Sequence, residues 1–396
     1  MDAIIASVAR TPVGSYGRSL RDVPATELGR VAASAAIERA GIEPTDVEQT
    51  IFGNVIHTDP ADMYLGRVVA IEAGVPKESP ALTVNRLCGS GTQAIVSAAQ
   101  SIALGDTDVA LAGGAESMSR GPYWSPAARW GARMGDMTMV DPVVGVLTDP
   151  FGHVHMGSTA ENLARDMDIS REDQDAFAAE SHRRAREARD AGRFERQIVP
   201  VEVPGRRGAT TTFATDEHIR DQIDPEALAA LRPAFEADGT VTAGNASGMN
   251  DAGAAVVLMS SRRAAELGVA PRARILAYAI SGVEPSRMGI GPVPAIRKTM
   301  ERAGRTLDEV GVIELNEAFA AQALAVIRRL DLDPARVNPN GGAIALGHPL
   351  GATGALITAK AVEEMERADH ELGLVSLCIG GGQGIALLLG REAAAA

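Results

Sequence analysis

The chain contains its own echo, and that echo limits what it can fold into. Residues 38–54 read ERAGIEPTDVEQTIFGN and residues 301–316 read ERAGRTLDEVGVIELN. In both, a helix end, a glycine stop, a capped turn and an apolar strand ending in asparagine follow in the same order. Further on, Val84-Asn85 opens the glycine-rich LCGSGTQAIVSAAQ, followed by the strand DVALAGGAE. Val337-Asn338 opens NGGAIALGHPLGATGALITAKAV, followed by LVSLCIGGGQG. Four matched features at a nearly constant offset mark a duplicated unit. Each unit alternates apolar strands with alanine-rich helical stretches, which predicts two βαβ-rich α/β halves with largely buried sheets. Aromatic residues make up only 3% of the chain, whereas glycine numbers 42. Tight backbone approach must therefore replace large aromatic anchors in the packing.

The texture between the repeats differs. Both tryptophans fall there, with scattered proline and glycine, and a charged helix is expected to start after Ser170, an N-cap with Asp173 three positions on. Fourteen of the 26 residues from Arg171 to Arg196 are charged, which reads as a solvated helical face. The expected organisation is an N-terminal half over 1–119, completed by about 250–270, an inserted block over 120–249, and a C-terminal half over 271–396.

Lysine and arginine number 38 against 51 aspartate and glutamate, a formal charge of −13. A broad basic face for nucleic acid or anionic membrane is thereby excluded, although local basic patches are not. Two cysteines make no disulfide framework, and no run of 18 apolar residues occurs. The opening MDAIIASVARTP lacks the pattern of a signal peptide, so a cytoplasmic protein is expected.

The chemistry-bearing residues sit at the glycine-rich turns. Cys88, in NRLCGSGTQA, lies at a strand-to-helix junction, where helix N–H groups and the positive dipole end favour thiolate. Gly89 and Gly91 are expected to leave room for a substrate at the sulfur, and the same N–H groups to stabilise an oxyanion. Cys378 ends the matching strand of the second half, before Gly380 and two further glycines. The two cysteines, at corresponding glycine-rich strand ends and without a CxxC, read as separate functions in one cleft. His348 is the one histidine in a glycine-rich turn, between Gly347 and Pro349, the setting of a positioned acid or base. Asn316 is an amide at a strand end, read equally well as a helix cap. Glu317 beside it is either an orienting or an exposed carboxylate. No metal-ligand spacing, phosphate loop or strand-linked GxGxxG occurs.

The ordered segments NRLCGSGTQA, GGAESMSRGPY, HMGSTAENLA, RPAF, TAGNASGMNDAGAA, GIGPVPA, NEAFAAQAL, NPNGGAIALGHPLGATGA and CIGGGQG resemble the thiolase family over essentially the whole chain. His155-Met156-Gly157 is similar to the version in biosynthetic acetoacetyl-CoA thiolases and bacterial β-ketothiolases. The resemblance implies the five-layered α-β-α-β-α thiolase fold with an inserted loop domain. It also implies condensation of two acetyl-CoA to acetoacetyl-CoA and CoA, and the reverse thiolysis, through an acyl-cysteine.

By that resemblance Cys88 is the nucleophile, activated by His348, and Cys378 moves the α-proton of the second acyl-CoA. His348 and a water on Asn316 form one oxyanion site, and the N–H groups of Cys88 and Gly380 the other. CoA, as substrate and product with no permanently bound cofactor, is expected against His155, Met156, Arg220, Phe235, Ala243, Ser247 and Phe319, with Met288 at the acyl end. Arg206 and Arg207 are further phosphate-binding candidates. Thr92 and Met249, where relatives often carry leucine, bear on acyl-chain preference, which extends to five-carbon 3-oxoacyl-CoA. A homotetramer, a dimer of dimers, is the expected assembly. The alternatives are a longer-chain degradative thiolase, a decarboxylating ketosynthase, and a non-catalytic acyl-CoA binder on the same fold.

Overall fold

A computed structural model describes residues 2–205 and 208–391. Nine strands form one continuous path: β1 (Ile4–Arg10), β2 (Gln49–Gly53), β3 (Ala81–Val84), β4 (Val109–Ser117), β5 (Asn250–Met259), β6 (Ala273–Gly282), β7 (Val312–Leu315), β8 (Leu372–Ile379) and β9 (Gln383–Gly390). Their order is β7-β8-β9-β6-β1-β5-β4-β2-β3, with the short strand Gly14–Ser15 pairing β5. Only two residue pairs, Ile4 with Arg274 and Ile5 with Ala273, join the halves at β1 and β6.

Each half repeats one pattern. β2 runs parallel to β4, which is antiparallel to β5, which is antiparallel to β1. In the second half β7, β8, β9 and β6 follow the same sequence of directions. The sheets are thus mixed rather than wholly parallel. An edge strand like β3 is missing from the second half, where Val337 makes only an isolated bridge to Ile313.

Three apolar cores separate five layers. α1 (Ala25–Ala40) and α2 (Leu65–Glu72) cover the outer face of the first half, packing Leu28, Ala32 and Val69 on Phe52, Leu111 and Val257. α3 (Ser90–Leu104) and a long helix over Leu350–Arg367 lie between the sheets, with Ile95, Val96, Leu356 and Val362 in the central core. On the far side Pro292–Ala303 and Ala320–Leu330 pack Ile296, Met300, Val326 and Ile327 on Ile313, Leu374 and Leu388. Alternation explains how one strand serves two cores. Ala254, Val256 and Leu258 of β5 point to the centre, while Ala255, Val257 and Met259 point outward.

The charged helix spans Arg171–Asp190, capped by the Ser170 hydroxyl, which accepts the Asp173 N–H at 3.0 Å. Its outer face is charged as expected, but Gln174, Asp175, Ser181 and His182 are buried. The inner face mixes Ala178, Ala185 and Ala188 with polar residues that brace polar turns: Ser181 donates to Glu317 at 2.7 Å, and Asp175 accepts from Asn245 at 2.9 Å. No helix among the described residues is long and apolar enough to cross a membrane.

The helix at Leu350–Arg367 meets the first half backbone to backbone. A Cβ on Gly114 would lie 2.0 Å from the Gly351 carbonyl oxygen, and one on Gly53 2.9 Å from the same atom. A Cβ on Gly91 would lie 2.6 Å from the Ala355 amide nitrogen. These glycines set the distance between the halves. Gly114→Ala is expected to destabilise the fold by about 3 kcal/mol, since backbone on both sides cannot yield. The measurement is the urea midpoint at unchanged slope; a variant as stable as the parent would show that the seam has slack.

Candidate active site

Four turns from both halves end at one pocket, and its lining includes Leu87, Cys88, Met156, Ser247, Met288, Phe319, His348, Leu350, Cys378 and Gly380. Cys88 follows β3 in a turn held by side chains. Asn85 Oδ1 accepts the Leu87 N–H at 2.9 Å, and Ser90 Oγ accepts the Arg86 N–H and donates to the Leu87 carbonyl. Leu87 itself takes φ 48°, a left-handed conformation that residues with a Cβ rarely adopt. That kink ahead of the cysteine aims its sulfur into the pocket.

His348 stands just ahead of the helix at Leu350. Gly347 precedes it at φ 103°, and a Cβ there would meet Asn250 Cγ at 2.4 Å. Asn250 Oδ1 accepts the His348 N–H at 2.9 Å. The ring Nε2 faces the Asn316 amide nitrogen at 3.4 Å, and Nδ1 lies 2.7 Å from Thr353 Oγ1. An amide N–H only donates, so Nε2 keeps its lone pair and Nδ1–H donates to Thr353. Asn316, one residue past β7, is buried and its Oδ1 has no partner among the described residues. Glu317 is an orienting carboxylate: it is buried and accepts from Ser181, Asn338 and the Ile344 N–H.

The electrostatics depart from the helix-dipole expectation. Burial pushes the Cys88 thiol up to about 11, although the N–H groups of Gly380 and Cys88 itself pull it down. The helix begins at Ser90 with Gly89 as cap, so Cys88 precedes the positive end rather than occupying its first turn. Burial also raises the Cys378 thiol, with the neighbouring Cys88 sulfur adding to the shift. The same burial lowers His348 to about 4. At neutral pH the resting groups are a thiol pair and a neutral imidazole.

The expected role of Gly89 and Gly91 is likewise corrected. The space beside Gly89 is filled by Ile379 Cδ1, 2.5 Å from where a Cβ would stand, and that beside Gly91 by the Ala355 amide. They admit the other half, not a substrate. Nor do the two cysteines correspond. Cys88 and His348 each stand two residues ahead of a central helix, whereas Cys378 is the last-but-one residue of β8.

The expected CoA contacts divide. His155 caps the helix Met156–Asp166, its Nδ1 accepting the Gly157 N–H at 3.0 Å. Phe235 stacks on the His155 ring at 4.5 Å and meets Phe319 edge-on at 6.0 Å. These rings adjoin Met156, Met288 and Ser247 along one wall. Ala243 is exposed, two residues before Asn245, whose carbonyl accepts the Ala320 N–H. Arg220 is exposed outside the pocket lining, its backbone N–H donating to His182 Nδ1 at 3.2 Å. Arg206 and Arg207 lie outside the described residues. Thr92 is buried with an unpartnered hydroxyl, and Met249 is partly exposed.

Thr353, Asn250 and Glu116 also bear on the site, though no motif reading singled them out. The signal for Glu116 was its place in the repeat; Thr353 and Asn250 lacked one, because their partners are set only by the fold. A larger cavity, about 220 Å³ in volume and lined by Arg193, Asn340, Lys360 and Glu364, brings together groups that already bond one another or neighbouring residues.

The description "Thiolase, N-terminal domain" matches residues 3–262, and "Thiolase, C-terminal domain" residues 269–391. The chain belongs to the thiolase family. Among curated thiolase relatives, Beta-ketothiolase BktB of Cupriavidus necator is 58% identical, over 98% of this chain and 99% of its own. An acetyl-CoA acetyltransferase of the same organism is 48% identical over 99% and 100%. The thiolase fold is that of solved structures as well. The Bacillus anthracis acetyl-CoA acetyltransferase superposes with a TM-score of 0.97 at 45% identity, covering 99% of both chains. Human mitochondrial 3-ketoacyl-CoA thiolase gives 0.96 at 46%, again covering 99% of both chains.

A thiol held near 11 ionises progressively across the accessible range. Alkylation of Cys88 by iodoacetamide in the free protein is therefore expected to rise steadily from pH 7 to pH 10, with no levelling near ~8.5 where an ordinary cysteine titrates. A plateau there would contradict the burial effect.

Proposed function

We propose that this thiolase condenses two acetyl-CoA to acetoacetyl-CoA and CoA and catalyses the reverse thiolysis, with Cys88 as the acyl carrier. One observation supports this above all: two sulfurs, an imidazole and the Gly380 turn, far apart in the chain, line one mostly apolar pocket.

In acylation, His348 Nε2 takes the Cys88 proton as the sulfur bonds to the acetyl carbonyl carbon. The resting groups sit so far apart in acidity that the proton moves with bond formation rather than before it. The oxyanion is held by the N–H groups of Cys88 and Gly380, each such donor contributing ~10²–10³ in rate. CoA then leaves as its C–S bond breaks, taking the Cys378 proton and leaving that sulfur as thiolate. In condensation, Cys378 removes the α-proton of a second acetyl-CoA. The enolate oxygen is met by His348 and a water on Asn316, whose buried, unpartnered Oδ1 fits that task. The α-carbon attacks the acetyl-cysteine, a C–C bond forms, and Cys88 departs as thiolate. In thiolysis Cys378 takes the proton of the CoA thiol.

The block over 120–249, inserted between halves at 1–119 (completed by about 250–270) and 271–396, holds CoA. The wall formed by His155, Met156, Phe235, Ser247 and Phe319 takes the pantetheine. Ala243 lies along the path and Arg220 reaches the phosphates. Met288 closes the acyl end of the pocket, whose whole volume of about 50 Å³ suits short chains. CoA enters and leaves as substrate and product, no resident cofactor or metal takes part, and the protein acts in the cytoplasm as a homotetramer.

Cys88→Ser should lose both acetyl labelling and acetoacetyl-CoA thiolysis, by on the order of 10³ or more. Cys378→Ala should still label Cys88 from acetyl-CoA yet fail to condense. Label on another residue, or condensation by Cys378→Ala at the parent rate, refutes this scheme. Across 3-oxoacyl-CoA substrates, thiolysis should be efficient at four and five carbons and fall steeply beyond. A preference for long chains would reassign the enzyme to degradation.

A further inference from the structure

Glu116 ends up fully buried near the close of β4, and no step above uses it. Every group that its carboxylate meets is a donor. Oε1 accepts from the Asn54 amide at 3.1 Å and the Ile56 N–H at 3.0 Å. Oε2 accepts from the Val55 N–H at 3.1 Å and the Gly351 N–H at 2.8 Å. Three of these donors lie in one turn of the first half. The fourth belongs to the helix that begins just after His348, where the first N–H groups have no partner within the helix. A carboxylate from the other half of the molecule therefore serves as its cap.

The repeat gives this contact its meaning. Gly53 lies opposite Gly114, and Leu315 lies opposite Ser376. Asn54 and Glu116 thus occupy in the first half the places that Asn316 and Cys378 occupy in the second. Cys88 and His348 form the remaining matched pair. Of the two duplicated constellations, one faces the pocket and the other grips the seam. The grip reaches the pocket wall directly, since Ile56 and Leu350, beside its two ends, pack with Cys88 in one apolar cluster.

We infer that Glu116 is a positioning residue: by holding the 54–56 turn and the first turn of the Leu350–Arg367 helix together, it fixes where His348 stands relative to Cys88. This rests on the acyl-transfer reading only for the task given to His348. Burial raises the Glu116 carboxyl to about 8 against the pull of its donors, and its charge in turn raises the Cys88 thiol. Charge and geometry therefore predict opposite effects when Glu116 is replaced.

The test compares E116Q and E116D with the parent at pH 9, where the Glu116 carboxyl is ionised, in thermal midpoint, kcat and KM for acetoacetyl-CoA thiolysis, and iodoacetamide alkylation of Cys88. E116Q removes the charge and turns one acceptor into a donor. E116D keeps the charge, but one methylene shorter it cannot reach both ends. Positioning predicts that both lower kcat, on the order of 10- to 100-fold at nearly unchanged KM, and slow the alkylation. A role through charge alone predicts faster alkylation in E116Q and parental behaviour in E116D. Either that result, or parental kcat at a lowered midpoint, or failure of both variants to fold, overturns the inference. Should the parent itself not cleave acetoacetyl-CoA, the functional reading fails, while slowed or quickened alkylation still decides the role of Glu116.

Discussion

At the first turns of the inner helix Leu350–Arg367, the two halves meet with main chain directly against main chain. Gly53, Gly91 and Gly114 on one side face Gly351, Gly354 and Ala355 on the other. Protein interiors are packed closely enough that one extra carbon at such a contact must displace something. Here the displaced atoms would be carbonyls and amides in the first turns of two central helices. Those turns follow directly after Cys88 and His348, so the spacing of the seam is also the spacing of the reactive groups. Five of the chain's 42 glycines, Gly53, Gly91, Gly114, Gly351 and Gly354, are accounted for in this way.

The sheet register carries the same logic into the site. Because each half pairs its strands alike, each brings an asparagine and a strand-end residue to the same place. In one half these are Asn316 and Cys378, in the other Asn54 and Glu116. Duplication supplied two equivalent sockets, and the residues placed in them divide reaction from support.

Much of this was legible in the sequence. The repeat gave two α/β halves, glycine-rich turns marked Cys88, His348 and Cys378, and a place in the repeat marked Asn316; the fold brings the four together. The misreadings share a cause: each concerned a contact with a part of the chain tens to hundreds of positions away. Gly89 and Gly91 looked like openings for a substrate, but Ile379 and Ala355 fill them. The helix end promised a thiolate at Cys88, but burial, which no local pattern reports, outweighs it. The charged helix after Ser170 carries the solvated face expected of it, but nothing local shows that Ser181 and Asp175 on its other side reach Glu317 and Asn245. Glu317 stayed ambiguous until its three donors were in view. Strand direction was not legible, because antiparallel β5 and β9 are as continuously apolar as their parallel neighbours, and a strand buried on both faces does not disclose its direction.

The raised acidity constant of Cys88 has a consequence for the idle enzyme. At neutral pH a thiol raised in this way rests mainly protonated. Peroxides attack the anion, and oxidation beyond the sulfenic stage is largely irreversible. A sulfur that stays protonated while the cleft is empty is shielded from that damage, and its nucleophile is spared for the moment an acyl group is in place.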